Sequence, residues 1–283
     1  MKLWYQSMSR QKAWGEYNAA LARILDSVRD PGTRIDVHGI TKIGGTTPQF
    51  HYLDYLETGE VLANVQAAMR KGYDAFLIGN IGDPGLQAAR EIATMPVLAL
   101  GETSAHLASM MGRSFSLVTI NDKFTQRIVD NIAHYGLSSR LAAVNRMKLE
   151  RILHLDAGFR DPRLRKEIFR QFMKAADANI DAGAEVIVPA GGVVMALLAD
   201  AGVHEAGRGT PILNGITALV KTAEAVVKIN RIMGGTFTSK RLHYAPPTGD
   251  QIAEIRKYYG DVYPSVKSSR TARRKASRGS KGR

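Results

Sequence analysis

The chain of 283 residues is 45% hydrophobic and 23% charged, as expected for a globular protein with a large buried core. No apolar run approaches the ~20 residues of a membrane span, and the N-terminus lacks a secretory signal, so we expect a cytoplasmic protein without a membrane partner. The absence of cysteine excludes disulfides, thiolate metal sites and thiol nucleophiles, and the formal net charge is +13.

Strand-like and helical segments alternate along the chain. Residues 2–5 and 34–38 are predicted strands, and between them residues 11–28 carry apolar side chains at helical spacing. A second helix is predicted at 59–71. Further strands, each followed by a helical stretch, are predicted at 75–79, 96–100, 115–119, 141–144, 185–190 and 211–213. This order predicts parallel sheets covered by helices.

An internal sequence similarity suggests two similar lobes. Residues 72–80 can be aligned with 183–191, and 95–101 with 210–215, although any two strand–helix units share such a pattern. If this similarity reflects two related lobes, Asn80 and Gly191 lie at the ends of equivalent strands. Open α/β sheets bind ligands at the carboxyl ends of their strands. We predict a first lobe of residues 1–97 plus 214–235, a second of 98–213, and a C-terminal extension of 236–264.

The last segment, residues 265–283, carries eight of the chain's basic residues and no acid, which leaves +5 for the rest. It is rich in Ser and Gly and is predicted to be disordered. Its charge could hold nucleic acid weakly, or it could be an incidental solubilising tail. The absence of aromatic residues for base stacking favours the second interpretation.

Four segments resemble the aspartate/glutamate racemase superfamily, nearest its hydantoin-racemase branch. The resemblance covers roughly residues 1–235 and implies two pseudo-symmetric parallel-sheet α/β lobes, a site in the cleft between them, no cofactor and a homo-oligomer. The segments are 78–91 (IGNIGDPGLQAARE), 96–107 (PVLALGETSAHL), 115–121 (FSLVTIN) and 183–195 (GAEVIVPAGGVVM).

Racemases of this superfamily use two cysteines on opposite faces of the substrate's acidic carbon, one from each lobe. The resemblance places the first cysteine position on Asn80 and the second on or next to Gly191. Neither residue can titrate, so this chain cannot be a two-thiol racemase.

The residues that remain favour a site that holds an anion. Strand-end glycines leave backbone N–H groups accessible, and Asp83-Pro84 predicts a helix start, capped by Asp83, that faces the cleft. Asn80 can donate a hydrogen bond to a carbonyl or carboxylate oxygen, whereas the Thr and Ser hydroxyls could instead cap helices. The candidate substrate-binding residues are Gln6, Ser7, Asn80, Ile81, Gly82, Thr103, Ser104, Thr119, Gly191, Gly192 and Val193.

A base must come from elsewhere, and the candidates are His38, His51 and Glu102. His38 ends the second predicted strand, and His51 precedes helix 59–71 in a loop that could overhang the cleft. Either histidine could instead be structural, and Glu102 could simply complement the start of the next helix. The seven histidines show no spacing typical of a metal site, and we expect no metal and no cofactor.

Two functions are compatible with this sequence. The first is a cofactor-independent isomerase- or lyase-type enzyme that acts on a small carboxylate or cyclic ureide through an enolate-like intermediate. The second is a catalytically silent relative that binds or senses a small anion. Both functions are suggested by the same two features, a predicted anion-binding site and the absence of cysteine.

Overall fold

Two parallel sheets contain the named strands of the protein. The computed structural model describes residues 1–10, 13–42, 49–149, 151–152 and 154–264, so the predicted disordered tail lies outside the described residues. Two compact units divide the chain, Met1–Thr238 and Ser239–Arg283. The lobe boundaries given above stay a prediction.

The first sheet has the order β2-β1-β3-β4 and the second the order β6-β5-β7, with parallel pairing throughout. This confirms the predicted α/β class with two parallel sheets. The strands are β1 (Lys2–Arg10), β2 (Arg34–Ile40), β3 (Ala75–Gly79), β4 (Val97–Ala99), β5 (Phe115–Thr119), β6 (Leu141–Arg146) and β7 (Val186–Pro189).

Helices follow most strands, and most are amphipathic. The helices are α1 (Gly15–Val28), α2 (His51–Arg70), α3 (Leu86–Ile92), α4 (Leu100–Met111), α5 (Asp122–His134), α6 (His154–Ala157), α7 (Pro162–Asp181), α8 (Gly192–Asp200), α9 (Gly215–Ile232) and, in the second unit, α10 (Gly249–Tyr259). Short 3-10 turns occupy Ser138–Arg140 and Leu242–Tyr244.

Three predicted elements differ most from the structure, whereas the others differ at most in the position of their ends. Strand β1 continues to Arg10 because its polar residues are buried and hydrogen-bonded rather than exposed. Helix α2 begins at His51, eight residues before the predicted start at residue 59. The predicted strand 211–213 is reduced to two isolated bridges, Ile212 with Ile187 and Pro211 with Glu205. It is cut short because Asn214 accepts hydrogen bonds from the first turn of α9 and starts that helix.

One apolar cluster contains residues of both sheets. Leu77 of β3, Leu117 of β5 and Val188 of β7 are all buried in it, together with Leu219 of α9. Because one core serves both sheets, their carboxyl ends are held at fixed positions. Within the described ranges, no helix is both long enough and apolar enough to cross a membrane.

Candidate functional site

A cleft of about 100 Å³ lies at the carboxyl ends of both sheets. In the first sheet Ser7 pairs with Gly79, and Asn80 follows directly. In the second sheet Ile120 follows β5 and Gly191 lies two residues beyond β7. The described lining of the cleft consists of Ser7, Met8, Ser9, Trp14, Tyr17, Gln49, Gly79, Asn80, Ile81, Ile120, Phe124, Ile152, Leu155, Gly191, Gly192 and Val193.

The start of helix α8 forms one wall of the cleft. Gly191 is the N-cap residue, and no side chain caps the helix. The first backbone N–H groups of a helix have no partner within it and carry partial positive charge. Because Gly191, Gly192 and Val193 all line the cleft, this wall can donate hydrogen bonds to a carbonyl, carboxylate or enolate oxygen.

Asn80 forms part of the opposite wall. Its side-chain oxygen accepts a hydrogen bond from the Gly82 N–H at 2.8 Å. This bond holds the loop after β3 and leaves Nδ2 as the end of the amide that can donate to a ligand. Asn80 and Gly191, the two positions that the resemblance assigns to cysteines, therefore line the same cleft.

Six of the eleven predicted substrate-binding residues line the cleft: Ser7, Asn80, Ile81, Gly191, Gly192 and Val193. The Gln6 side chain is instead fully buried, where it accepts from Asn64 and Trp4 and donates to the His38 carbonyl. Gly82 lies along a neighbouring cavity, and its carbonyl accepts from Arg127 and Asn131.

The three predicted hydroxyl ligands lie outside the described lining. The Thr119 hydroxyl is 2.6 Å from that of Thr125. Thr103 and Ser104 are buried in the first half of α4, and a Cβ placed on Gly215 would clash with the Ser104 hydroxyl. The burial of Thr103 and Ser104 within α4, and the contact of the Thr119 hydroxyl with Thr125, fit packing and local hydrogen bonding better than contact with a ligand.

None of the three predicted bases lines the described cleft either. The His38 ring stacks on Trp4 at a centroid distance of 3.5 Å, and burial lowers its pKa. His51 is exposed at the start of α2, not in a preceding loop. Glu102 is paired with both terminal nitrogens of the Arg90 guanidinium, one of them at 2.8 Å, in the first turn of α4.

Asp83 caps a helix, but not the one predicted from the sequence. Helix α3 starts at Leu86, after Gly85 in the left-handed conformation, and has no side-chain cap. Asp83 instead accepts from the backbone N–H groups of Gly101 and Glu102, both at 2.7 Å, at the start of α4. The cap is therefore a tertiary contact, which the spacing of Asp83 and Pro84 could not reveal.

Several cleft residues were missed by sequence reasoning. Ser9 lies beyond the strand predicted at 2–5, and Gln49 lies in a segment for which no element was predicted. Tyr17 was placed on the apolar face of the helix predicted at 11–28. A tyrosine at core spacing in an amphipathic helix looks like packing, so no local signal separates it from its neighbours.

The described lining of the cleft carries no charged side chain. None of its described lining residues is Asp, Glu, His, Lys or Arg. Tyr17 is the single titratable group among them, and burial raises its pKa to about 12. Among the described residues no group of three or more His, Cys, Asp or Glu side chains could hold a metal ion.

The first turns of α2 lie next to the cleft and are tied to α5. Gln49, which lines the cleft, accepts from Asn121 at 3.0 Å, and Asp54 pairs with Arg127 at 2.7 Å. One turn further, Glu57 is only 1% exposed, and neither of its carboxylate oxygens has a described hydrogen-bond partner. Burial and the nearby Asp54 raise the pKa of Glu57 to about 8.

We therefore expect Glu57→Gln to stabilise the protein at alkaline but not at acid pH. The folded-state pKa lies above the ordinary value of 4.5, so the protonated form fits the fold. Its stabilising contribution is complete below that value and is lost as the pH rises through about 8. Urea unfolding should show a gain of about 2–4 kcal/mol at pH 9 and almost none at pH 4.5. An equal change at both pH values would show that Glu57 does not titrate in this range.

Comparisons with known proteins give the same family as the sequence segments. Residues 16–223 match the family described as Asp/Glu/Hydantoin racemase. The chain is 34% identical to a hydantoin racemase of Pseudomonas sp. (strain NS671) over 206 residues, which cover 73% of this chain and 77% of that protein. This chain belongs to the Asp/Glu/hydantoin racemase family.

Solved structures agree with the family's fold. The allantoin racemase of Klebsiella pneumoniae superposes with a TM-score of 0.71 at 24% identity, over 87% of this chain and 94% of that one. The allantoin racemase of Pseudomonas fluorescens gives a TM-score of 0.69 at 26% identity, over 87% and 97%. This racemase-family chain nevertheless contains no cysteine.

Proposed function

We propose that the protein is a cofactor-independent, isomerase-type enzyme that acts on a neutral cyclic ureide of the hydantoin class through an enolate-like intermediate. The observation that carries this proposal is a cleft that combines the uncapped start of α8 with the Asn80 amide and contains no charged side chain in its described lining. Similarity to hydantoin and allantoin racemases supports the same substrate class.

The absence of charged side chains from the described lining favours a ureide over an amino dicarboxylate. Two carboxylates removed from water require cationic partners, because burial of an unpaired charge is costly. The described lining offers amide, hydroxyl and backbone donors instead. A cyclic ureide presents alternating C=O and N–H groups, which such donors and acceptors can satisfy at little electrostatic cost.

The same groups would stabilise the developing enolate. When the ring carbon loses its proton, negative charge moves to the adjacent carbonyl oxygen. A helix start and an oriented amide that already point at this oxygen need no reorganisation as the charge forms. The chain supplies no thiol for the proton transfer, so the reaction cannot follow the family's two-cysteine scheme.

A panel of compounds tests the substrate class. Purified protein is incubated with 5-substituted hydantoins, allantoin, aspartate, glutamate and maleate, and both thermal stabilisation and stereochemical composition are followed. We expect a rise in melting temperature and slow loss of optical rotation with ureides, and neither with dicarboxylates. Stabilisation or turnover by dicarboxylates alone would contradict the proposal.

A second candidate function is binding without turnover. The observation that favours it is the absence of a group with a pKa near 7 among the described lining residues. A binding protein would be stabilised in a saturable way by a ligand that it never converts, by about 2.7 kcal/mol at one hundred times the dissociation constant. Ureide conversion above the rate in buffer would exclude this candidate.

A further inference from the structure

Tyr17 lines the cleft, and its hydroxyl lies against the wall formed by the start of α8. The backbone N–H of Tyr17 donates to Asp156 at 2.9 Å, which ties the first turn of α1 to α6. Its side chain is 3% exposed and is part of the shared apolar core. A Cβ placed on Gly192 would lie 3.1 Å from the hydroxyl oxygen, so this oxygen sits against the start of α8.

A chain of hydroxyl groups leads away from Tyr17. Ser7 hydrogen-bonds with the Tyr17 hydroxyl, and the Ser7 and Ser9 oxygens are 2.8 Å apart. The Ser9 hydroxyl donates to the Asn18 side-chain oxygen at 2.8 Å. Because Ser9 gives its one proton to Asn18, it accepts from Ser7, and Ser7 can accept from neutral Tyr17. If Tyr17 loses its proton, rotation of the Ser7 hydroxyl turns this acceptor into a donor to the phenolate.

Other titratable groups near Tyr17 are engaged elsewhere or do not reach the cleft. Asp156, from α6, accepts from the Tyr17 backbone rather than from its hydroxyl. Tyr5, from β1, lies next to Tyr17, but its hydroxyl is buried and it is not part of the described lining. On the side of α8, the neighbouring residue is Gly192.

We propose that the Tyr17 hydroxyl is the catalytic acid–base of this chain and that it exchanges the proton on the ring carbon of a bound cyclic ureide. This proposal rests on the proposed function. The phenolate oxygen takes the carbon-bound proton, and the electron pair of the C–H bond moves into the adjacent carbonyl to give the enolate. The phenol exchanges this proton with solvent and then returns a proton or deuteron to the same carbon, so no electrons are gained or lost.

The proposal predicts the pH dependence of the rate. Burial raises the pKa of Tyr17 from 10 to about 12, so the fraction of phenolate, and with it the enzymatic rate, should rise tenfold for each pH unit between 6 and 8. It also predicts the stereochemistry. A single acid–base mostly returns the proton to the face from which it came, and inversion requires a proton from solvent on the opposite face. Deuterium from solvent should therefore enter the carbon several-fold faster than the carbon inverts.

Tyr17→Phe tests the proposal, and Tyr5→Phe is its matched control. Both remove one hydroxyl from a buried tyrosine, but the described lining includes only Tyr17. With a 5-substituted hydantoin in D₂O, we expect Tyr17→Phe to lose at least about 100-fold in exchange rate at pH 8. Tyr5→Phe should exchange at the wild-type rate, and circular dichroism checks that both variants fold.

The outcomes separate this proposal from the proposed function. Wild-type exchange that persists in folded Tyr17→Phe overturns the role of Tyr17 and leaves the ureide enzyme intact. If the wild type exchanges no ureide, both fail together. If Tyr17→Phe does not fold, the test uses the wild-type protein alone. An exchange rate that is independent of pH, or inversion of the ring carbon as fast as its exchange, overturns the proposal.

Discussion

The double variant Asn80→Cys/Gly191→Cys is expected to invert the stereocentre of a 5-substituted hydantoin at least about 100-fold faster than the wild type at pH 8. The two substitutions restore thiols at the positions that the family resemblance assigns to them. Both residues line the same cleft and follow strands of different sheets. A thiol has a pKa of ~8.5 and can therefore act as base on one face and acid on the other near neutral pH.

The structure can accommodate the new side chains. Gly191 has an extended backbone with φ of −176°, and a Cβ there would have ordinary contacts of 3.7 and 3.8 Å with Ile120 and Val194. The start of α8 would lower the pKa of a thiol at this position. Replacement of Asn80 removes its hydrogen bond to Gly82, at a cost of about 1 kcal/mol.

The matched control is Asn80→Ser/Gly191→Ser, which adds similar volume without a titratable thiol. The inversion rate of each single cysteine variant should rise much less than that of the double variant, because the two-thiol reaction requires an acid–base group on each face of the reacting carbon. If the double cysteine variant is no faster than the serine control, then Asn80 and Gly191 do not face the reacting carbon.

Gly101→Ala is expected to destabilise the fold by about 3 kcal/mol or more. A Cβ at Gly101 would lie 2.5 Å from the Ile81 carbonyl oxygen and 2.7 Å from the Asp83 carboxylate. The first of these atoms belongs to the backbone and cannot rotate away. The loop after β3 must therefore move, which also breaks the Asp83 cap on α4. Because Asn80 and Ile81 belong to this loop, ureide affinity should fall together with stability.

Gly59→Ala provides the matched control for this clash. Gly59 lies within α2, and a Cβ there would meet no atom within 4 Å. Alanine in a helix interior should raise the free energy of unfolding by about 0.5–1 kcal/mol. Urea unfolding measures both variants. If Gly101→Ala lowers the free energy of unfolding no more than a typical surface substitution does, the close packing of the loop after β3 on α4 is contradicted.

Sequence reasoning located strands β3 and β5 with the bounds that the structure shows. All five residues of each strand are buried. Strand β1 was predicted too short because Gln6, Ser7 and Ser9 are polar yet buried. Their hydrogen bonds, such as those of Gln6 with His38 and Asn64 and of Ser9 with Asn18, offset the cost of burial. Such bonds leave no periodic pattern in the sequence.

The candidate site was predictable where it follows strands and unpredictable elsewhere. Asn80 and Gly191 were found because each follows an apolar strand and both sheets are parallel. Tyr17 and Gln49 come from a helix face and a segment before α2, so only the tertiary fold brings them to the cleft. The same holds for Asp83, whose cap joins residues that lie 18 and 19 positions away along the chain.

The most direct test of a thiol-free ureide enzyme is solvent exchange at the ring carbon. Proton NMR in D₂O follows the C–H signal of an enantiopure 5-substituted hydantoin with the purified wild type and with Gly191→Val, which fills the cleft beside Ile120. The signal should disappear with the wild type faster than in buffer, and at the buffer rate with Gly191→Val. Two results would contradict catalysis in this cleft. One is loss of the C–H signal at the buffer rate with the wild type, and the other is an equal enzymatic rate with both proteins.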